Sequence, residues 1–427
     1  MFLYFRLFKV LMKKDKMRLK TDDSWSFSYL NKKETNYATH GYHRYPAKFI
    51  PQIVRRLINE NSKAGDWVMD PYGGCGTTIV EARLSNRNSI GFDINPAAVL
   101  MAMAKVKEID PAKLERANRN LLFNINRKKA TNTEFKSEPD RLRYWFKPNQ
   151  YLKLKKIYKA IQDERNEDIK RFYKCCFSNI LKTCSIWYSK SIKPMKDPLK
   201  KNSDPLNEFV KHLELMTRQN NIFFNLLLEK DKTKFHVDVA DARKLNLKDN
   251  SLDLIITSPP YVTSYEYAEL HQLSLLWLGF VRNLNEIKKD YVGTISRSPA
   301  ERGFKSEIAE KIIKKLFNKD NHLSKNITNY YSDLNRSISE MHRTLKNGKK
   351  LCLIIGNTEY RGVKIDNLNV AIELMEYAGF KIERVIKRKI SSKTFTPYRD
   401  KNGRFTNSSS GEKRKIYQYE YIIISKK

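Results

Sequence analysis

The chain is short of acid. Only 47 of its 427 residues are Asp or Glu, against 82 Lys and Arg, so the formal charge is +35 and the pI is near 9.8. That balance favours a polyanionic partner, although the lysines are scattered as compositional bias alone would also scatter them. Cysteine is scarce too. Five are present with no Cys-x-x-Cys spacing, which excludes a disulfide framework and a cysteine zinc site and fits a reducing cytoplasm. Of seven histidines only His40 and His43 lie close together, and without further ligands nearby they read as pocket or structural residues, so no metal is expected. Long apolar runs are also missing. Phe2-Leu3-Tyr4-Phe5 is interrupted by Arg6 and Lys9, which leaves no signal-peptide core and no membrane span. Residues 1–24 are read as an N-terminal extension, with Met12 or Met17 as alternative starts. No internal repeat is apparent.

What is present centres on residues 251–261. Leu252-Asp253-Leu254-Ile255-Ile256 reads as a short buried strand, apolar and β-branched. The loop after it is Ser258-Pro259-Pro260-Tyr261, and two prolines cannot continue a strand ladder. In an open α/β sheet, ligands bind at such strand ends. A hydroxyl, proline-stiffened carbonyls and an aromatic face suit a planar base whose exocyclic amine must be hydrogen-bonded and stacked. An ordinary proline-terminated strand would look the same, so these four residues do not decide alone.

Two further stretches decide it. Trp67-Val68-Met69-Asp70 is a strand entering the turn Pro71-Tyr72-Gly73-Gly74-Cys75-Gly76-Thr77-Thr78, and Ile79–Leu84 continues as a helix. Glycines let backbone approach a ligand, and the helix start offers free N–H groups. A second strand ends at Asp93, at about the 20-residue spacing where an acid meets a ribose hydroxyl.

These residues resemble the DNA amino-methyltransferases, which use S-adenosylmethionine to methylate cytosine N4 or adenine N6. The family's glycine motif resembles Asp-Pro-Phe-x-Gly-Ser-Gly-Thr-Thr; here Tyr72 stands for Phe and Cys75 for Ser. Asp93 in Gly91-Phe92-Asp93-Ile94-Asn95-Pro96 matches the second acid, His43–Phe49 the N-terminal cofactor segment, and Asp241 in Asp238–Arg243 the acid that reaches the adenine. The resemblance spans His43 to Tyr261 with long unmatched stretches. It implies a Rossmann-like α/β fold with a mostly parallel seven-stranded sheet and an antiparallel last strand. It also implies S-adenosylmethionine contacts from Lys48, Phe49, Asp70, Tyr72, Gly74, Gly76, Thr77, Thr78, Asp93, Ile94, Asp241 and Ala242. The catalytic loop would be Ser258, Pro259, Pro260 and Tyr261. The partner would be double-stranded DNA with its target base flipped out, and a restriction endonuclease is a possible further partner.

Taken in order, residues 25–109 read as the first part of the catalytic domain, with helices at Pro51–Asn61 and from Pro96. Residues 110–232 show no good strand; helices near 111–128, 149–163, 168–188 and 205–228 make a helical insertion. Its loop carries Lys190, Lys193, Lys196, Lys200 and Lys201 among prolines. Such lysines suit phosphate contacts, though a solvated cap looks the same. Residues 233–427 read as the second catalytic part, with strands at Phe235–Val239 and 252–256. Tyr265 and the aromatics after it are candidates for the base pocket, or for core. Residues 280–323 and 391–415 read as irregular basic insertions. Between them come a helix over 328–345 closed by Asn347-Gly348, a strand over 351–355, a helix over 370–378 closed by Gly379, and a final antiparallel pair, Lys381–Lys389 with 419–425.

The expected product is N4-methylcytosine. Ring methylation at C5 needs a cysteine nucleophile, in that family within Pro-Cys. Cys75, Cys175, Cys176, Cys184 and Cys352 follow Gly, Lys, Cys, Thr and Leu. Ser at the first loop position resembles the cytosine-N4 group; adenine N6 is the alternative. A transfer-RNA guanine-N2 enzyme is a further one, against which Ser258 in place of an acid counts.

Overall fold

The structure is a computed structural model that describes residues 19–46, 48, 50–201, 203–228, 232–262, 267–294, 303–360, 362–390, 398–399, 411, 414–415 and 418–427. Phe49, Tyr265, residues 1–18 and most of the 391–415 loop lie outside the described residues.

Seven strands form the main sheet: β1 (Trp67–Asp70), β2 (Asn88–Asp93), β3 (Phe235–Val239), β4 (Leu252–Thr257), β5 (Leu345–Ile355), β6 (Lys381–Lys389) and β7 (Tyr419–Lys426). Their spatial order is β3-β2-β1-β4-β5-β7-β6. The first five run parallel, and β7 is antiparallel to both of its neighbours. All six residues of β4 are buried, as a strand covered on both faces requires. Alternate side chains serve opposite cores. Val68, Leu254, Ile256 and Cys352 pack with Ile53, Val54, Leu57 and Ile58 of the helix Pro51–Asn61. Met69, Ile255, Leu351 and Leu353 pack on the other face, with the helices Glu307–Phe317, Asn321–Thr344 and Asn367–Tyr377.

The order of strands reverses between β1 and β4. A crevice opens at such a switch point, beyond the carboxyl ends of the two strands. Val68 lies opposite Leu254 and Met69 opposite Ile255. Two loops far apart in the chain, Pro71–Gly76 and Ser258–Tyr261, therefore leave the sheet side by side.

The insertion holds the four expected helices, as Pro111–Arg127, Pro148–Gln162, Glu167–Cys184 and Pro205–Leu228, plus two short ones, Asn132–Ser137 and Asp140–Trp145. It shares one core with the helices Pro96–Val106 and Gln272–Trp277. Trp277 sits among Phe146, Tyr151, Tyr158 and Phe177 with ring centroids 5.1–6.1 Å apart. These helices are thus packed in one core with segments that precede and follow them in the chain. No helix of the described residues is long and apolar enough to cross a membrane.

Three expectations need correction. Gly348 does not close a helix. The helix ends at Thr344, β5 begins at Leu345, and Gly348 sits inside the strand at φ 77° where the register against β4 shifts. An Asn-Gly pair can make a strand irregularity as readily as a cap. The stretch 280–323 is not simply irregular. Ser306 caps Glu307–Phe317, whose Ala309, Ile312, Ile313 and Leu316 form a buried helical stripe, and Asp320 caps the next helix at Asn321. Its lysines occupy the outer face, which hid the period. Nor is 1–24 wholly an appendage: the Asp22 amide donates to the Lys387 carbonyl at 2.8 Å, extending the β6 edge.

Candidate active site

The glycine turn is built by strain that only glycine relieves. Gly74 and Gly76 sit at φ 50° and 81°, where a side chain is costly. A Cβ on Gly76 would meet the Ala102 Cα at 2.9 Å. Asp70, fully buried at the end of β1, ties the site together. One carboxylate oxygen accepts the Thr257 hydroxyl at 2.6 Å and the Tyr72 amide at 3.1 Å; the other accepts the Thr78 hydroxyl at 2.8 Å. Burial raises its pKa to about 6 against those stabilising bonds. Asp70 and Thr78 thus staple the turn and its helix to the residue just before Ser258.

Asp93 ends β2 at the cleft wall. Its oxygens accept the Gly74 and Asn95 amides at 2.9 Å each, and burial pushes its pKa up to about 6. Each carboxylate oxygen retains a lone pair for a ligand hydroxyl. Lys48 enters from the N-terminal segment, its ammonium held by Asn36 Oδ1 and the His40 carbonyl at 2.9 Å each. Burial lowers its pKa to about 8, helped by the neighbouring Lys105. Lys105 is itself fully buried, finds no hydrogen-bond acceptor, and lies beside the Cys75 thiol. Lys48, which lines the cleft, gives this end a donor suited to a carboxylate.

The cleft has a cavity volume of about 100 Å³ and opens to solvent. Lys48, Asp70, Tyr72, Gly74, Thr77, Asp93, Ile94, Asp241, Ala242, Ser258 and Pro260 all line it. Gly76, Thr78, Pro259 and Tyr261 do not. Tyr261 turns toward the sheet, its hydroxyl donating to Glu420 Oε1 at 3.1 Å. Asp241 is at the wall, but both its oxygens are gripped by the Arg243 guanidinium at 2.7–2.9 Å.

Tyr267, a candidate for the base pocket, and Tyr45, within the expected cofactor segment, line the cleft, as does the segment Asp290-Tyr291-Val292, which sequence reasoning passed over. Tyr45 stacks on Tyr267 with centroids 6.5 Å apart and lies 4.8 Å from the His271 ring. The 290–292 segment is drawn in by tertiary bonds: Arg243 donates to the Asp290 carbonyl at 2.8 Å, and Asp333 accepts the Gly293 amide at 2.9 Å. No local signal marks it. Among the loop lysines, Lys190, Lys193, Lys196 and Lys201 are exposed. Lys200 differs from the expectation, since its ammonium binds the Lys182 and Trp187 carbonyls at 2.8 and 2.9 Å and so holds the loop's own shape.

The strand order, the glycine turn and the spaced acid define an S-adenosylmethionine-dependent methyltransferase. The profile of the DNA methylase family matches residues 6–104. The Type II methyltransferase M.MvaI of Kocuria varians is 25% identical over 391 residues, covering 85% of this chain and 86% of that protein. M.BsoBI of Geobacillus stearothermophilus is 25% identical over 414 residues, covering 81% and 79%. M.MjaII of Methanocaldococcus jannaschii reaches 30% over 199 residues, 46% and 36% of the two chains. A solved S-adenosylmethionine-dependent methyltransferase of Methanosarcina mazei aligns with 90% of this chain and 98% of its own at 11% identity and a TM-score of 0.32; the strand order carries the fold reading without it. The chain is thus similar to Type II DNA methyltransferases over more than four-fifths of its length, and to the DNA methylase profile over residues 6–104.

Proposed function

We propose that the protein is a site-specific DNA methyltransferase that moves a methyl group from S-adenosylmethionine to N4 of cytosine, as the modification enzyme of a restriction–modification system or as an orphan methylase. The observation that carries this reading is the shared cleft: Asp93 and the glycine turn stand on one side of the switch point, Ser258 and Pro260 on the other. Bound there, the cofactor supplies a methyl group on a sulfonium, which leaves readily. Asp93 would hold its ribose hydroxyls and Lys48 its carboxylate. The chain's task toward the base is orientation, because the target amine's lone pair is delocalised into the ring. Ser258 and the Pro259 carbonyl would accept the amine's hydrogens and help it become pyramidal. Tyr261, expected from the sequence to stack on the flipped base, points to Glu420 and is given no stacking role. Ser258 suits either exocyclic amine, so cytosine rests on the family's Ser-Pro-Pro-Tyr tendency. Methylation of DNA by the purified protein, followed by nucleoside analysis, tests the assignment.

Two expected outcomes follow. Replacing Asp93 with Ala strips the ribose hydroxyls of their acceptor, at a cost of roughly 1–3 kcal/mol. Calorimetric titration should show weaker cofactor binding with the fold intact, and unchanged affinity would remove Asp93 from the site. The pH sign follows from the same group. Its pKa is raised to about 6 by burial, and the carboxylate is the better acceptor. Affinity should therefore weaken as pH falls from 7.5 to 5, and Asp93→Asn should lose that dependence.

The second outcome concerns DNA. Neutralising Lys190, Lys193, Lys196 and Lys201 together should flatten the salt dependence of DNA binding by about one unit of slope per lost phosphate contact. An unchanged slope would put the footprint elsewhere. Lys200 is left out of that set because of its bonds within the loop.

A further inference from the structure

Four tyrosines line the cleft: Tyr45, Tyr72, Tyr267 and Tyr291. Three of them stand with the groups assigned to the cofactor. Tyr72 belongs to the glycine turn, and its hydroxyl donates to Ser337 Oγ at 2.6 Å. Tyr45 lies against that turn, since a Cβ on Gly74 would meet its Cε1 at 3.3 Å. Tyr291 follows Asp290, whose carbonyl is held by the same Arg243 guanidinium that grips Asp241. Tyr267 is different. It comes six residues after Tyr261, on the chain that leaves the Ser-Pro-Pro loop, and it lines the cleft with Ser258 and Pro260.

Tyr261 itself is engaged elsewhere. Its hydroxyl donates to Glu420 Oε1 at 3.1 Å, and a Cβ on Gly356 would meet its Cε2 at 2.9 Å. The ring is packed on the Gly356 backbone, and turning it into the cleft would break both contacts. Tyr267, by contrast, is held in place from behind. It opens the short helix Tyr267–Leu270, which leads through His271 into Gln272–Trp277. The His271 amide donates to the Tyr267 carbonyl at 3.1 Å, and the Leu275 amide to the His271 carbonyl at 2.9 Å. Glu269 accepts the Lys288 ammonium at 2.6 Å and the Arg141 guanidinium. Gln272 Oε1 accepts Trp145 Nε1 at 2.8 Å and Arg141 Nε at 2.7 Å. The Tyr267 ring is stacked on Tyr45, with centroids 6.5 Å and planes 26° apart, and the His271 ring backs Tyr45 at 4.8 Å. An aromatic face fixed in advance loses little freedom when a planar ring comes to lie on it.

We propose that Tyr267, backed by Tyr45, is the platform on which the flipped target base stacks, in the place that the sequence assigns to Tyr261. This inference rests on the proposed methyl transfer to a base of DNA. It puts the stacking group on the segment after the Ser-Pro-Pro-Tyr loop, beyond the motifs that resemble the DNA amino-methyltransferases. The two halves of the cleft then meet at one aromatic wall: Tyr45 rests on the glycine turn, and Tyr267 continues the wall toward the base.

The test uses the full-length protein and the variants Tyr267→Leu and Tyr267→Phe. The methylated position is first located by sequencing DNA modified by the wild type. Single-turnover methyl transfer, affinity for S-adenosylmethionine and melting temperature are then measured. Binding is measured to two duplexes, one intact and one with an abasic site in place of the target nucleoside. Tyr267→Leu is expected to slow transfer and weaken binding to the intact duplex by roughly 10-fold or more, as loss of a stacking ring does. Its binding to the abasic duplex and its cofactor affinity should stay within about twofold of wild type, because neither involves the stacked base. Tyr267→Phe keeps the ring and should restore transfer to within about threefold. Where leucine impairs folding, the unbranched Tyr267→Met replaces it as the aliphatic variant. An aliphatic variant with wild-type transfer, an equal loss on both duplexes, or a phenylalanine variant as slow as the aliphatic one would overturn the inference while leaving the proposed function standing. A wild-type protein that binds cofactor but transfers no methyl group to DNA would overturn both.

Discussion

Replacing Ser258 with alanine is expected to cut methyl transfer by about 100-fold or more while leaving cofactor affinity unchanged, the loss typical of removing one preorganised polar group from a reacting centre. The prediction rests on where Ser258 stands. Its backbone follows Thr257, whose hydroxyl donates to Asp70 at 2.6 Å, and Ser258 itself lines the cleft. Alanine disturbs neither strand end nor turn, so the effect should fall on the rate and spare the cofactor. An equal loss of cofactor affinity would mean that the loop belongs to the cofactor's own pocket and not to the base.

The largest stability effect is expected at Glu81. This carboxylate is fully buried on the helix that follows the glycine turn, and it accepts from His40 Nε2 at 2.7 Å, from Arg55 Nε at 2.9 Å and from the Tyr37 hydroxyl. Burial alone would raise its pKa, yet these partners hold it below the usual carboxylate value. Glu81→Ala should destabilise the protein by about 3 kcal/mol, the low end of the cost of breaking a buried ionic group. The lower end applies because Arg55 is 44% exposed and can turn to water. The same substitution should weaken cofactor binding, since His40 and its neighbour Lys48 are anchored through this network. Thermal melting and titration check the two effects, and an unchanged melting temperature would contradict the first.

The pH sign at this network is fixed. Burial lowers the pKa of His40 to about 4, so protonation of the unfolded chain below about 6.5 draws the equilibrium toward unfolding. Glu81, also depressed, contributes stability above its unfolded value that is lost on acidification. His40 therefore makes stability fall between about pH 6.5 and 4, and Glu81 adds a further loss as pH falls below its unfolded value of 4.5.

The parts of this protein legible in its sequence are those with short-range causes. A glycine turn between strand and helix, an acid at the end of the next strand, and a strand halted by two prolines each carry their own backbone physics. That is why Asp93, Gly74, Lys48 and Ser258 meet in one cleft as expected. What stayed hidden depends on contacts between distant segments. Asp290-Tyr291-Val292 reaches the cleft only because Arg243 and Asp333 pull it in. Asp70 accepts from both Thr78 and Thr257, a pairing that no spacing reveals. Glu420 lies 159 residues from Tyr261. The lysines of the 189–205 loop read alike in sequence, yet Lys200 turns inward to donate to the Lys182 and Trp187 carbonyls.

The measurement that tests the account most directly is the identity of the methylated nucleoside. DNA incubated with the protein and S-adenosylmethionine is digested to nucleosides and resolved by mass spectrometry. N4-methylcytosine is the predicted product. N6-methyladenine alone would keep the site and mechanism but overturn the cytosine assignment, and 5-methylcytosine or no methylated nucleoside at all would contradict the central claim that this cleft transfers a methyl group to an exocyclic amine of DNA.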